Sequence, residues 1–431
     1  MTNIAISFLV KGLGIISTFL LVPLCIAYVQ PSQYGLWLTI NSVVMWIGLF
    51  DLGLTNGLKN QLTEAFAKRE TVLARQLIST TYAILFLAIV PLCIVFFIVC
   101  PYINWQHVFN TDLDNGTLTI VLRVAFISFC IQLMLQPLSS FLMAMHKHYL
   151  SSLLLLFGNL LAMVVIIAFG RQTEASFLFL SLCLSIAPAL IILLFSVILF
   201  RNTFRKWAPA FAQIDFTLKR KLFSIGIQFF LIQVAGLIMY ASNNFIIAHV
   251  NGNASVTTYN IVFRYFTAIT LVQTLILSPF WTGFTDAYVL KDFEWIRRTI
   301  QKVNTVAWIL SGILLMMLFI SNNFYKFWIG KEFQVENSIN ILFAVSVAIG
   351  AFAANYTVFV NATGKIRLQT VFSIVTGLLH IPVTYLFMKS FHMNLQGLVA
   401  VNILWMTASL IMWSTQYKKI MAGSNSGIWS K

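Results

Sequence analysis

Charged residues are scarce in this sequence, and acidic residues are the scarcest of them. Of 431 residues, 9% are charged and 59% are hydrophobic, and Asp and Glu together number 12. Soluble domains carry about 25% charged residues, so the composition excludes a soluble globular protein and leaves no stretch for a separate soluble domain. Because a helix satisfies its own backbone hydrogen bonds in lipid, we predict an all-α integral membrane protein.

The sequence also lacks the residue patterns of common cofactor and catalytic sites. Its five cysteines all lie in apolar stretches and form no C-x-x-C pair, which argues against a zinc site and a disulfide framework. No G-x-x-x-x-G-K-[ST] loop is present, so an ATP-driven pump is excluded. No Ser/His/Asp, metal-binding or paired-carboxylate arrangement stands out. We therefore expect neither an enzyme nor a resident cofactor or metal.

Twelve apolar stretches are each long enough to cross a bilayer as a helix, which takes roughly 20 residues. They occupy residues 4–29, 36–58, 79–104, 118–144, 149–170, 176–200, 222–250, 257–285, 303–325, 338–361, 368–388 and 396–414. We predict that each is a transmembrane helix and number the spans one to twelve in chain order.

Lys and Arg fall unevenly on the two sides of this twelve-span topology. With the N-terminus inside, 20 of the 27 basic residues lie in inner segments, and four lie in outer loops: Arg171, Lys326, Lys331 and Lys389. Cytoplasmic loops carry the excess of Lys and Arg, so both termini are predicted to be cytoplasmic. The net charge of +15 is spread over loops rather than gathered on one folded face, and no nucleic-acid partner is expected.

A short pattern occurs twice at an offset of 222 residues. Residues 64–70 read EAFAKRE and residues 286–292 read DAYVLKD, and a predicted span follows each copy at the same spacing. Six spans separate the copies, so the two halves would share one orientation, as in a parallel pseudo-twofold repeat. We predict four segments: an N-lobe over 1–200, a cytoplasmic linker over 201–221, a C-lobe over 222–414 and a cytoplasmic tail over 415–431.

One charge interrupts each of the first two spans. Lys11 lies about seven residues into span one, and Asp51 lies about seven residues before the end of span two, so both would be roughly 10 Å from the inner face. A charge at such depth costs at least about 2.5–3.5 kcal/mol, and pairing of the two would offset part of this cost. Two alternatives stay open. Lys11 can snorkel to the inner interface, and Asp51 can cap a helix break beside Gly53 and Gly57.

Two further basic residues are predicted within spans. Arg264 lies in the outer half of span eight, where polar residues late in span seven, including Asn243 and Asn244, are its expected neighbours. An arginine in a membrane stays charged and must face protein, water or an anion. Arg123 lies near the outer end of span four, where an arginine that reaches lipid headgroups fits the sequence equally well.

The balance of these charges indicates the kind of cargo. Three cations within predicted spans, Lys11, Arg123 and Arg264, stand against one anion, Asp51. A pathway for cationic drugs or metal ions is expected to show the reverse balance. The sequence therefore favours an anionic cargo, with Lys11, Arg264, Arg123, Asn243 and Asn244 as candidate binding residues.

Motifs in both halves are similar to those of a known family. In the first half they are Tyr34-Gly35-Leu36-Trp37, Asp51-Leu52-Gly53-Leu54, Asn56-Gly57-Leu58 and Glu64-Ala65. In the second half they are Asn243-Asn244-Phe245-Ile246-Ile247, Tyr259-Asn260, Arg264 and Pro279-Phe280-Trp281-Thr282. They resemble the bacterial lipid-linked oligosaccharide flippases of the Wzx type, in the multidrug/oligosaccharidyl-lipid/polysaccharide (MOP) superfamily.

The resemblance implies a MATE-like fold of two six-helix lobes around a central cavity that opens to one side at a time. It implies a cargo of undecaprenyl-diphosphate-linked sugar repeat units, moved to the outer leaflet of the bacterial inner membrane for O-antigen or another surface polysaccharide. The lipid-linked oligosaccharide and membrane lipids are the implied partners, with a polysaccharide polymerase and a chain-length regulator as further candidates. Basic residues of spans one and eight, here Lys11 and Arg264, would meet the diphosphate.

One departure helps to choose the branch of the superfamily. The peptidoglycan-precursor branch tends to place an acid beside its basic residue in span one, whereas Gly12 follows Lys11 here. That branch also often carries two extra helices, which this sequence lacks. We therefore favour the branch that moves oligosaccharide repeat units.

Coupling and two alternative functions stay open at this stage. Asp51 would hold Lys11 when no cargo is bound or carry a coupling proton; the sequence does not choose between proton coupling, sodium coupling and the membrane potential. A cation-coupled multidrug exporter of the same superfamily would want several intramembrane acids, and Asp51 is the one that qualifies. A membrane scaffold for glycan assembly that transports nothing would leave the intramembrane charges without a use.

Overall fold

In a computed structural model of the protein, residues 2–51, 53–145, 147–170, 176–222, 227–330 and 333–423 are described. Arg171 and Lys331 of the predicted outer loops lie outside these ranges, as do Leu52 of the first-half motif and the last eight residues of the predicted tail. The chain divides into two compact units, Met1–Phe230 and Leu231–Lys431. The regular elements of the described residues are helices, which agrees with the predicted all-α class.

The described residues of the first unit form nine α-helices. They are α1 (Thr2–Tyr28), α2 (Pro31–Val44), α3 (Leu54–Ala67), α4 (Thr71–Val99), α5 (Trp105–Phe109), α6 (Asn115–Ala144), α7 (His148–Phe169), α8 (Phe177–Arg201) and α9 (Lys219–Leu222). α6 packs against α3, α4 and α8, while α7 packs against α1 and α8. The centre of this unit is therefore α6, and α1 is attached to it through α7 and α8.

Six α-helices follow in the described residues of the second unit, and the first of them begins four residues before the unit boundary. They are α10 (Ile227–Asn251), α11 (Asn253–Val289), α12 (Phe293–Trp328), α13 (Asn337–Thr363), α14 (Arg367–Tyr385) and α15 (Asn394–Met421). α13 is the central helix of this unit, because it packs against α11, α12 and α15. A π-helical turn, Leu386–Ser390, follows α14 directly.

Ten helices of the described residues are long and apolar enough to cross a membrane. They correspond to ten of the twelve predicted spans, so the protein is a multi-pass membrane protein. Predicted span seven falls on α10, and predicted span two falls on α2, a 3₁₀ helix and α3; neither is among the ten.

Predicted span two is broken in its middle. A 3₁₀ helix, Met45–Asp51, separates α2 from α3, and Gly53 has a φ of 76° immediately before α3 begins. A left-handed φ favours glycine because it has no Cβ to clash with the backbone. The break thus follows from the sequence Asp51-Leu52-Gly53, and it places Asp51 at a helix start rather than inside a continuous helix.

The two copies of the 222-residue pattern form the same turn. α3 ends and α4 begins at Ala67 and Thr71, and α11 ends and α12 begins 222 residues later, at Val289 and Phe293. Within the turns, Arg69 and Lys291 both have a φ of 59°. The following amides also donate equivalently: Glu70 to the carbonyl of Ala65 at 2.9 Å, and Asp292 to that of Ala287 at 2.8 Å. The offset of 222 residues found in the sequence therefore also relates the backbone structures of the two turns.

The correspondence extends over whole helices but fails at the break. Residues 31–67, from the start of α2 to the end of α3, match the length and offset of α11, which is continuous over residues 253–289. Gln273 of α11 occupies the position equivalent to Asp51. Its amide nitrogen donates to the carbonyl of Ala351 at 2.6 Å and to Oδ1 of Asn355 at 3.2 Å, so it ties α11 to α13. A neutral buried amide in the second unit thus replaces the acid of the first.

The segment predicted as a linker, residues 201–221, lies against the first unit. Arg75 Nε donates to the carbonyl of Ala208 at 3.0 Å, and the amide of Asp215 donates to Oγ1 of Thr80 at 2.9 Å. The Trp207 ring packs near the rings of several phenylalanines: Phe66, Phe141 and Phe204. The Thr217 hydroxyl and amide donate to the Asp215 carboxylate and lower its pKa below the usual value. α4 and the ends of α3 and α6 therefore fix the course of this segment.

Gly57 allows α3 to approach α9 closely. A Cβ added at Gly57 would lie 1.9 Å from the carbonyl oxygen of Leu222, which is far inside van der Waals contact. The clash is with backbone, so it cannot be relieved by a change of side-chain rotamer. Gly57 thus permits the contact between α3 and the end of α9.

We expect Gly57→Ala to destabilise the protein, because overpacking of a close backbone contact costs about 1–3 kcal/mol. The measurement is thermal unfolding of the purified protein in detergent. Gly312→Ala is the matched control, since a Cβ at Gly312, in the middle of α12, meets no atom within 4 Å. Equal melting temperatures for Gly57→Ala and wild type would show that the contact is not required.

Candidate functional site

Asp51 is buried, and its carboxylate is occupied by Thr55. The amide of Thr55 donates to Oδ1 at 3.2 Å, and the Thr55 hydroxyl donates to Oδ2 at 2.9 Å. The exposed fraction of Asp51 is 5%. Because the first amides of a helix lack intrahelical acceptors, a carboxylate at this position caps α3 and also meets its positive dipole end. This geometry is the helix cap that the sequence left as an alternative.

Lys11 is exposed on α1, and no ion pair joins it to Asp51 in the described part of the chain. α1 carries a stripe of exposed apolar side chains that is suited to lipid: Leu9, Leu13, Ile16 and Leu20. At 3.6 residues per turn, Lys11 lies about 170° around the helix from the centre of that stripe. The ammonium group therefore leaves α1 on the side away from its apolar stripe.

Polar residues follow on the flank of α1 that carries Lys11. Thr18, seven residues after Lys11, accepts a hydrogen bond from Nδ2 of Asn159 in α7 at 2.9 Å. The same amide donates to Oγ of Ser17 at 3.1 Å. These bonds fix the rotation of α1 about its axis, and with it the direction in which Lys11 points.

Arg264 lies on α11, half-buried among well-packed neighbours. Tyr259 and Tyr265 of the same helix are 3% and 5% exposed. The guanidinium acts electrostatically on Tyr240 of α10, one of the neighbours expected from the sequence. The structure thus brings Arg264 together with the polar end of α10 within one unit.

Arg123 lies on α6 against the end of α4. Its guanidinium carbon is 5.6 Å from the centroid of the Phe97 ring, and its side chain hydrogen-bonds to the Cys100 thiol. No described residue is a partner for its buried Nε. The cation is therefore held mainly by an aromatic face and a thiol, both of which are weaker partners than a carboxylate.

Asn243 and Asn244 are buried between helices of the second unit. Nδ2 of Asn243 donates to the Tyr259 hydroxyl at 3.1 Å, and Oδ1 of Asn244 accepts from Nδ2 of Asn260 at 2.8 Å. Both amides thus bond α10 to α11, the helix that carries Arg264. Oδ1 of Asn243 also lies 2.7 Å from Nε2 of His380 in α14.

His380 is a fully buried ionisable residue that the sequence analysis did not single out. It lies in the middle of predicted span eleven, where any ionisable residue is by default a candidate for function. Leu, Ile and Val dominate the hydropathy of the surrounding span. A neutral imidazole adds nothing to a count of charged residues, so the count did not reveal His380. A search for histidine within spans would have found it.

The charged side chains within the predicted spans are thus mostly of one sign. They are three cations, Lys11, Arg123 and Arg264, and one acid, Asp51. The Asp51 carboxylate accepts hydrogen bonds from the hydroxyl and the backbone amide of Thr55. This excess of positive charge suits an anionic ligand.

The fold matches solved structures of MATE transporters. One is described as an inward-facing conformation of a multidrug resistance MATE family transporter of the MOP superfamily. It has a TM-score of 0.76 at 13% identity, over 95% of this chain and 96% of that chain. An outward-facing conformation of such a transporter has a TM-score of 0.67 at 12% identity, over 98% and 95% of the two chains. The fold of this chain is therefore the one seen in these MATE transporters, which agrees with the predicted MATE-like fold.

A curated relative gives the more particular likeness. The chain is 22% identical over 347 residues to a protein named "Putative O-antigen export protein" from Yersinia pseudotuberculosis, with 78% of this chain and 76% of the relative covered. No family model matches the chain. The resemblance that the motifs indicated, to the oligosaccharide-exporting members of the MOP superfamily, is confirmed.

We expect Asp51→Ala to lower the free energy of unfolding by about 0.5–2 kcal/mol, the usual cost of losing a helix cap. Asp51→Asn should cost less, because its amide oxygen still accepts a hydrogen bond from Thr55. A double-mutant cycle with Thr55→Val, read by thermal unfolding in detergent, measures the coupling of the two side chains. Strict additivity of the two substitutions would contradict the cap.

Proposed function

We propose that the protein flips undecaprenyl-diphosphate-linked oligosaccharide repeat units from the cytoplasmic to the periplasmic leaflet of the bacterial inner membrane. It does so by alternating access of two six-helix lobes, with twelve spans and both termini in the cytoplasm. The observation that carries the proposal is the balance of charge within the predicted spans: three cations, Lys11, Arg123 and Arg264, stand against one acid, Asp51, whose carboxylate accepts two hydrogen bonds from Thr55. The O-antigen export relative supports the choice of cargo.

Lys11 is the proposed contact for the diphosphate on the cytoplasmic side. Its position on α1, away from the apolar stripe of Leu9, Leu13, Ile16 and Leu20, keeps the ammonium group off the lipid side of the helix. A lysine presents a compact point charge on a flexible stem, which suits the capture of a phosphate group that arrives in varied orientations. The polyprenyl tail of the cargo stays in lipid throughout.

Arg264 is the proposed contact nearer the periplasmic side, with Arg123 as a further cation of the outer half. A guanidinium is always charged and binds phosphate oxygens through two parallel hydrogen bonds. Asn243 and Asn244 act by holding α10 against α11, which keeps Arg264 in place. Arg123 rests on Phe97, so an anion can compete for it without breaking an ion pair.

The membrane potential supplies a driving force for this transfer. An uncompensated diphosphate with two negative charges gains roughly 4–5 kcal/mol per 100 mV on moving to the outer side of the membrane. Flipping therefore proceeds without ATP, in keeping with the missing nucleotide-binding loop. Coupling to a proton or sodium gradient would add to this term. Surface-polysaccharide polymerase and chain-length proteins are the proposed downstream partners.

The second candidate is a cation-coupled multidrug exporter, since the matched structures with the MATE fold are described as multidrug transporters. Such a protein needs acidic groups along its path that bind cationic drugs and release them. Asp51 is the acid within a predicted span, and Thr55 occupies both of its oxygens. A scaffold without transport would give the cations no role. The charges favour the flippase over both.

We expect Arg264→Ala to abolish surface glycan in cells that depend on this protein, with an unchanged amount of protein in the membrane and accumulation of the lipid-linked repeat unit. Arg264→Lys should restore part of the activity, because it keeps the charge but not the paired hydrogen bonds. The readouts are glycan electrophoresis and extraction of polyprenyl diphosphates.

Arg298→Ala is the matched control, because Arg298 is exposed and pairs with Glu294 at the start of α12. It should leave glycan unchanged. Normal glycan in the Arg264→Ala cells would remove Arg264 from the proposed site, and transfer of cationic drugs by the reconstituted wild type without transfer of lipid would favour the exporter.

A further inference from the structure

His380 ends a chain of buried hydrogen bonds that crosses four helices. Its Nε2 lies 2.7 Å from Oδ1 of Asn243 in α10, and Nδ2 of Asn243 donates to the hydroxyl of Tyr259 in α11 at 3.1 Å. The Tyr259 side chain also hydrogen-bonds with Asn402 of α15. The imidazole in α14 is thus connected, bond by bond, to α10, α11 and α15.

The chain of bonds fixes the tautomer of the imidazole. Since the amide nitrogen of Asn243 is used on Tyr259, its oxygen is the atom that faces His380. An amide oxygen only accepts, so Nε2 carries the hydrogen and Nδ1 carries the lone pair. No described residue is a hydrogen-bond partner for Nδ1, although His380 is 0% exposed.

A purely structural link would not need this second nitrogen. A glutamine or asparagine donates one hydrogen bond as well as an imidazole does, and a buried polar atom without a partner is destabilising. The same face of α14 carries a second such atom one turn later, Oγ1 of Thr384, which is also fully buried. Residues four apart on a helix are neighbours, so a change of side-chain rotamer would bring this hydroxyl and Nδ1, which are not hydrogen-bonded in this structure, within reach of each other.

The surroundings of His380 carry no acid. No Asp or Glu occurs in α10, α14, the π-helical turn or α15, and Asp286 of α11 is 27 residues beyond Tyr259. Other titratable groups also lie on these elements, and none of them is hydrogen-bonded to the imidazole in the described residues: Tyr240, His249, Arg264, Tyr265, Tyr288, Arg367, Tyr385, Lys389, Tyr417, Lys418 and Lys419. Tyr259, reached through Asn243, is therefore the titratable group that hydrogen bonds connect to His380.

The backbone next to His380 departs from a regular helix. Pro382 lacks an N–H and interrupts the hydrogen-bond ladder of α14, and the π-helical turn Leu386–Ser390 follows within one turn of Thr384. π-Helical turns are frequent at functional sites. Gly377, one turn before His380, lets α14 approach Ala235 of α10.

We propose that His380 is a proton-binding site, in which Nδ1 takes up a proton and the Nδ1–H then donates to Oγ1 of Thr384. The uptake converts a neutral imidazole to an imidazolium; one N–H bond forms and no covalent bond breaks. The added charge has no carboxylate to meet, so it favours a conformation that hydrates this face of α14. The site would couple a proton gradient to the transport proposed above, and the proposal rests on that function for its physiological role.

Proton binding is tested without any assay of transport. A single-histidine protein, in which the other five histidines (His107, His146, His148, His249 and His392) are replaced by Gln, is labelled with ¹⁵N-histidine and studied by NMR in lipid nanodiscs. We expect the His380 signals to show the Nε2–H tautomer at high pH and a transition to imidazolium within about pH 4–8. Thr384→Val in this protein should lower the midpoint, because it removes the acceptor of the new N–H.

A histidine that keeps its neutral tautomer over the whole range in which the protein stays folded would overturn the proposal. So would a midpoint that Thr384→Val leaves unchanged. Neither measurement replaces His380, so both remain decisive if variants of His380 fail to fold.

The coupling role is tested in proteoliposomes with a fluorescent polyprenyl-diphosphate sugar and an imposed pH gradient. His380→Gln keeps a donor for Asn243 but cannot titrate, so we expect transfer without a gradient to persist and stimulation by the gradient to be lost. His249→Gln, an exposed histidine at the end of α10, should keep the stimulation. Full stimulation in His380→Gln would overturn the coupling role. If wild-type protein moves no lipid, the proposed function fails, while the NMR titration still decides the proton site.

Discussion

A polar group among membrane-spanning helices has no water to bond, so it must find its partner within the protein or in the cargo. The helices of this chain meet that requirement one group at a time. Thr55 takes the carboxylate of Asp51, Asn159 takes the hydroxyls of α1, and Gln273 bonds to α13. The proposals of function concern the cations within the predicted spans and the Nδ1 atom of His380, which has no hydrogen-bond partner among the described residues.

The two units differ in how the equivalent segments, residues 31–67 and α11, accommodate the polar group at their centre. Their turns after α3 and α11 share backbone conformation and hydrogen bonds, and residues 31–67 match α11 in length. The second unit keeps this segment as one helix with a neutral glutamine at its centre, whereas the first breaks it and caps the new helix end with an acid. A repeat of sequence thus carries a local difference in stiffness, which places the break in the first unit and the buried histidine chain in the second.

The charge asymmetry connects the fold to the proposed cargo. MATE-type architecture accommodates cargoes of different charge, so the architecture alone does not select the substrate; the side chains do. Here three cations and one acid lie within the predicted spans, and Lys11 leaves α1 away from its apolar stripe. The proposed proton site at His380 adds a change of charge, which fixed cations cannot supply. An anionic lipid cargo and a titrating site are compatible parts of one transport cycle.

The sequence by itself determined the membrane class, the all-α architecture, the 222-residue offset and the intramembrane cations, because hydropathy, basic-loop bias and spacing are local properties. It left the role of Asp51 open between ion pair, proton site and cap, since these depend on which side chain lies within 3 Å. Only the tertiary structure showed the carboxylate on Thr55, Gly57 against Leu222, and His380 bonded to Asn243 137 residues away. Helix rotation and packing, which no local pattern encodes, decided those contacts.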